Sequence, residues 1–265
     1  MRPWRVILSS NVNPKYLQFW PLVSYAWKKL FNMQPWLALV VDDYDEAEAY
    51  GMHPLMAHGN IVVYTAIKDI PECNQAKVAR YFLASKWNDN SVVMTNDMDL
   101  LPLQTAYGDS LFKQRPAGHL MTIGSELYTG PEKGKFTAGY LTAESSVWRS
   151  LVNPSNLEWD GFIKSFVGMK KFDHKEDIAR NVFHEDPDTF SDESLLRALL
   201  SINPVPMIRL PIGFWPYTLR ALDRSNWQFD PKKLADGTYV EAHLLRPWSS
   251  YETQLQPLVD YIKNV

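Results

Sequence analysis

The strongest constraint on this chain is an alternation in its first hundred residues. Short apolar runs rich in β-branched residues, at 5–10, 36–41, 61–64 and 91–94, are separated by stretches at helical spacing. Residues 16–31 place Leu17, Trp20, Val23, Trp27 and Leu30 in one helical register, and 73–87 form a second such stretch. Runs of this kind read as strands buried on both faces. Their alternation with helices predicts an α/β fold: a mixed, mostly parallel central sheet flanked by helices. Parallel strands bring their carboxyl ends to one edge, where such sheets bind ligands. No G-x-G-x-x-G follows the first run, so a dinucleotide site is not expected.

The fourth run ends in the segment Val92-Val93-Met94-Thr95-Asn96-Asp97-Met98-Asp99-Leu100-Leu101. Residues i and i+2 of an extended stretch point the same way, so Asp97 and Asp99 can share a hard divalent cation. Mg²⁺ and Mn²⁺ take oxygen ligands and keep positions for phosphate oxygens. A bare D-x-D also fits a solvated turn; its place after a buried strand favours the ligand reading.

This segment resembles the D-x-D motif of the GT-A-fold glycosyltransferases, including the glycogenin-like ones. The resemblance implies a single Rossmann-like domain, with a nucleotide-binding half over about 1–101 and an acceptor half over about 102–265. It implies a UDP- or GDP-sugar donor, a carbohydrate or glycoconjugate acceptor, and Mn²⁺ or Mg²⁺ on the diphosphate. The later segment Tyr239-Val240-Glu241-Ala242-His243-Leu244-Leu245-Arg246-Pro247-Trp248 is similar to the family's late strand and basic-Pro-Trp piece. His243 then matches the third metal ligand, beside Asp97 and Asp99. The chain has Leu-Leu and Arg where the family has Gly and Lys, and its spacing is shorter.

The resemblance also assigns supporting residues. Lys77 and Arg80 lie three apart on one helical face, where the family touches the diphosphate or donor sugar. On that placement, losing Arg80 is expected to weaken donor use and spare the fold. Gly139, in a strand expected over 136–141, would let the donor sugar approach closely. Ser9, Ser10, Asn11 and Asn13 at the end of the first strand, and Asp43 after the second, are placed to meet base and ribose. Ser191-Asp192-Glu193-Ser194-Leu195-Leu196 resembles an acceptor-side D-[EQ]-x-x-L segment, with Asp192 or Glu193 as the catalytic carboxylate that binds the acceptor hydroxyl or acts as its base. The same residues suit a helix start.

Further strands are expected at 119–123, 206–210 and 238–243, and helices at 144–151, 157–167, 194–200 and 252–263. The polar stretch 170–192 reads as a solvated flap. Composition narrows the alternatives. At 265 residues and 46% hydrophobic, the chain suits one domain with a substantial core. A net charge of −3 gives no basic excess for nucleic acid. Cys73 is the single cysteine, which rules out an intrachain disulfide. No leader-like or membrane-spanning apolar stretch is present, so a cytoplasmic, soluble protein is expected. The 10 Trp, 13 Tyr and 12 Phe could stack on sugars, although core packing accounts for most. Two rival functions remain: a catalytically silent nucleotide-sugar or carbohydrate-binding module, and a D-x-D phosphatase or phosphomutase. The latter keeps its motif on the first strand.

Overall fold

The structure, a computed structural model, describes residues 4–49, 51–105, 115–123, 139–169, 192–210 and 221–265. The chain opens with β1 (Trp4–Asn11), α1 (Pro14–Leu17), α2 (Trp20–Phe31), β2 (Gln34–Val41), α3 (Tyr44–Ala49), α4 (Met52–Met56) and β3 (Asn60–Thr65). Then come α5 (Glu72–Lys86), β4 (Val92–Thr95), β5 (Leu100–Pro102), β6 (Leu120–Ile123) and β7 (Leu141–Glu144). Helices α6 (Ser145–Val152), α7 (Trp159–Met169) and α8 (Asp192–Ile202) precede β8 (Met207–Leu210) and β9 (Ala221–Leu222). A 3₁₀ turn (Arg224–Asn226), α9 (Pro231–Ala235), β10 (Glu241–His243) and α10 (Trp248–Asn264) complete it.

Seven strands form one sheet in the order β3-β2-β1-β4-β7-β6-β8. Only β7 runs against its neighbours; the other pairings are parallel. The chain winds outward from β1 through β2 to β3, then returns to lay β4 on the other flank of β1. The carboxyl ends of β1 and β4 therefore flank the point where the winding reverses, the crevice position for ligands. A second sheet, β5-β10-β9, lies beyond that point.

Apolar residues pack on both sheet faces. One cluster joins Trp20, Val23 and Trp27 of α2 with Leu255, Leu258 and Ile262 of α10. The other joins Tyr81 and Phe82 of α5 with Trp148, Phe162 and Leu195. Several large aromatic side chains are core: among the described residues Trp20, Trp27, Trp148, Tyr81, Phe82 and Phe162 are fully enclosed. At about 1.5–3 kcal/mol each, such burials dominate the favourable side of folding.

Several expected elements need correction. The helix expected over 16–31 is two helices, because Pro21 has no N–H to continue the ladder and instead opens α2. Asn32, at φ 52°, closes α2 in the left-handed region, which Asn tolerates. The strand expected over 136–141 begins only at Leu141; Tyr140 before it has φ 64°, which interrupts extended backbone. Residues 136–138 and the expected flap at 170–191 lie outside the described residues. The strand expected over 238–243 shortens to Glu241–His243. No helix among the described residues is long and apolar enough to cross a membrane.

Candidate active site

The D-x-D segment is shaped by its backbone. After β4, the Asn96 N–H donates to Ile7 O of β1 at 3.0 Å, which keeps the chain on the sheet edge. Asp97 O then accepts from the Leu100 N–H at 3.2 Å, turning the chain, and the Asn96 side chain donates to Leu100 O at 3.1 Å. The turn delivers Leu100 into β5, which pairs antiparallel with β10 in a register placing His243 opposite Leu100. The Leu244 N–H closes the contact on Asp99 O at 2.8 Å. Register alone thus carries His243 from the late part of the chain to Asp99.

His243 Nε2 lies 3.4 Å from Asp99 Oδ2. On the other side of β10, β9 runs parallel, with Ala242 opposite Leu222, so Asp223 follows beside His243. His243 Nδ1 faces Asp223 Oδ2 at 3.3 Å. Asp223 is itself fixed, accepting the Ser225 N–H at 2.7 Å as the cap of the 3₁₀ turn. Burial pulls the imidazole down, but the Asp99 and Asp223 carboxylates outweigh it and hold His243 above its ordinary value. Burial likewise pushes Asp99 up, and His243, Arg224 and Arg246 overcome it to leave the carboxyl below its usual range.

Asp99 is buried, and its Oδ2 also meets Arg246 Nη1 at 3.0 Å and Arg224 Nη1. Asp97, half-buried, accepts from Arg80 Nη1, which donates also to the buried Asn96 O at 2.9 Å. Arg80 is therefore a correction: it was expected on an accessible face, yet it is 4% exposed and holds the D-x-D backbone. A partial signal was present, because Arg80 is the one charged residue within the otherwise apolar stretch Val78, Ala79, Tyr81, Phe82, Leu83 and Ala84. Lys77 of the same helix is half-buried.

Gly139 lies in a bend, not in a strand. A Cβ there would meet Leu100 Cδ1 at 2.9 Å and stand 3.5 Å from both Asp97 Oδ2 and Asn96 Oδ1. Gly139 thus lets the backbone pass tight against Leu100 and the Asp97 carboxylate. The next residue, Tyr140, donates its hydroxyl to Glu241. Both side chains are buried, and burial raises the Glu241 carboxyl to about 7 despite the Tyr140 hydrogen bond. At the end of β1, Ser9 is half-buried, Ser10 donates to Asn11 O at 2.7 Å, and the Asn11 amide donates to Glu72 at 2.9 Å. Asn11 is thereby tied to the start of α5. Asp43 is exposed beyond β2. Asp192 and Glu193 open α8; their side chains lie outside the described residues.

Asp223, Arg224, Glu241 and Tyr140 were not foreseen. Strands of two or three residues carry no alternation to read, and the only visible cue was the turn-forming Asp223-Arg224-Ser225-Asn226.

The donor set can be tested against a divalent cation. A carboxylate beside an imidazole suits Mn²⁺. An imidazole whose second nitrogen faces a carboxylate is the usual arrangement around a bound metal. Asp99, His243 and Asp223 meet both conditions. Asp97 is turned to Arg80, and among the described residues no three His, Cys, Asp or Glu side chains converge as a metal cluster.

No family model matches the chain, and no curated protein matches it. Solved structures do. The galactosyltransferase LgtC, in complex with donor and acceptor sugar analogues, is 12% identical over 98% of this chain and 96% of that one, at a TM-score of 0.53. An active-site mutant of LgtC is 13% identical over 92% and 88%, at 0.51. The apo bifunctional glycosyltransferase WbbM is 10% identical over 100% of this chain and 50% of that one, at 0.50. These likenesses establish the fold: a mixed, mostly parallel α/β sheet flanked by helices, shared with GT-A glycosyltransferases.

Proposed function

We propose that this chain transfers a sugar from a nucleoside-diphosphate sugar to an acceptor hydroxyl. The observation that carries the reading is the meeting of Asp99 and His243, 3.4 Å apart, at the sheet edge where such folds bind nucleotides. That LgtC was solved with donor and acceptor sugar analogues supports the same assignment.

Asp99 and His243 would hold Mn²⁺ or Mg²⁺, with Asp97 completing the set. When bound, the cation supplies positive charge to the leaving diphosphate. The remaining work belongs to the chain. Asp223 fixes the imidazole so that Nε2 points to the site. Arg80 orients the Asp97 carboxylate and the turn that carries it. Gly139, packed beside Asp97, would present backbone without a side chain to the donor sugar, while Ser9, Ser10 and Asp43 would border the nucleotide side, with Lys77 nearer the diphosphate. The C–O bond from the anomeric carbon to phosphate breaks as the acceptor oxygen bonds to that carbon. The acceptor proton goes to Asp192 or Glu193 if the reaction inverts, or to the departing phosphate oxygen if it retains.

The test is a panel of UDP- and GDP-sugars with Mn²⁺ or Mg²⁺, following release of nucleoside diphosphate and the melting temperature. A ligand bound only by the folded state at a hundred times Kd adds about 2.7 kcal/mol of stability. Absence of any metal-dependent shift or release across the panel refutes the reading. Binding without release would make the chain a nucleotide-sugar-binding module instead.

A further inference from the structure

Asp99 Oδ2 is claimed by three groups at once: Arg224 Nη1, Arg246 Nη1 at 3.0 Å and His243 Nε2 at 3.4 Å. One oxygen cannot keep all three partners when a ligand arrives. The contacts of each cation decide which leaves. Arg80 is held by Asn96 O and Asp97 on a buried side chain. Arg246 has a second attachment, its guanidinium carbon lying 4.6 Å over the Tyr16 ring, and its side chain is 18% exposed. The Arg224 side chain is 31% exposed and, among the described residues, it bonds to Asp99 alone. It sits on a three-residue 3₁₀ turn, not on the central sheet.

A guanidinium has five donors in a planar fork that matches phosphate oxygens bidentately. Turning Arg224 outward from Asp99 exchanges one charged partner for another. We infer that Arg224 is a phosphate-binding residue of the donor site: it leaves Asp99 for the diphosphate of the incoming nucleotide. The donor site then has affinity for a nucleoside diphosphate even without a divalent cation. This rests on the nucleotide-sugar reading above and adds to it a residue that neither the D-x-D motif nor the His243 segment contains.

The experiment is titration calorimetry of the full chain with UDP, GDP and inorganic pyrophosphate, at fixed ionic strength, in EDTA and in Mn²⁺. Wild-type protein is expected to bind UDP or GDP in EDTA, with pyrophosphate competing. Arg224→Ala is expected to weaken that binding by about tenfold to a hundredfold, the scale of one charge-assisted hydrogen bond. Arg224→Gln, which can still hydrogen-bond Asp99 without the charge, should lose as much; a thermal melt of each variant establishes that it is folded. Failure of wild-type protein to bind in EDTA overturns the inference while binding in Mn²⁺ keeps the functional reading. Wild-type affinity in both variants, or tighter binding, also overturns it, making Arg224 only a counter-ion to Asp99. No binding of either nucleotide in either condition removes the inference and the functional reading together.

Discussion

Replacing Arg80 by Ala should destabilise the protein, contrary to the sparing effect expected from its spacing alone. The Nη1 group donates to Asn96 O at 2.9 Å inside the molecule. Deleting it leaves a buried carbonyl without its charged donor, at a cost of about 1–3 kcal/mol. The pair with Asp97 adds less, because that carboxylate is more than a third exposed; screening limits it to about 0–1 kcal/mol. The guanidinium carbon also lies 5.2 Å from the Tyr81 ring centroid, adding roughly 1 kcal/mol. The sum is about 3 kcal/mol, which lowers the melting temperature by roughly 6–12 °C at 2–4 °C per kcal/mol. Circular dichroism melts and urea titrations at constant m-value measure it. Arg80→Lys should fall between, since an ammonium keeps the charge but not the fork. An Arg80→Ala protein melting within about 2 °C of wild type would refute the argument that this side chain anchors the D-x-D turn.

Two further outcomes follow from the same cluster. Asp223→Asn should leave the fold intact and weaken Mn²⁺ binding by roughly 10- to 100-fold, read by electron paramagnetic resonance of free Mn²⁺, because it removes the group orienting His243. Glu241 titrates at about 7 in the folded protein against 4.5 ordinarily. Its folded form therefore holds the proton longer, and the stability this gives is complete below the ordinary value and lost as pH rises through 7. The loss amounts to about 3 kcal/mol for a shift of this size. Glu241→Gln should flatten that part of the pH–stability curve; urea midpoints at pH 5 and 8 that still differ as in wild type would contradict it.

Much of the first half was legible in the sequence. Strands β1 to β4 and helix α5 lie within one or two residues of their expected bounds, because apolar β-branched runs and helical spacing are strong local signals. The position of Asp97 and Asp99 after a central strand was legible for the same reason. The contacts of Asp99 were less so. Spacing put Lys77 and Arg80 on one face but did not say which way it turned. Asp223 and Arg224 follow a two-residue strand, and their approach to His243 and to Asp99 respectively is fixed by pairing with β10 and not by anything local. Tyr140 and Glu241 are joined across 101 residues. Such pairings are tertiary facts, and periodicity cannot carry them.

The three-residue strand β10 has a consequence for the chain as it is made. Asp99 is synthesised 125 residues before Arg224, and β10 comes later still. At about 5–20 residues per second, roughly 6–25 seconds separate the two partners on the ribosome. Through that interval β1 to β4 can collapse into a sheet, but Asp99 has neither its imidazole nor its guanidinium groups and stays hydrated. The half-built protein thus presents the edge where β1 and β4 end without the imidazole and guanidinium groups that enclose Asp99 in the finished fold. The short strand acts as a timer, delaying closure of the Asp99 cluster until β10 pairs with β5.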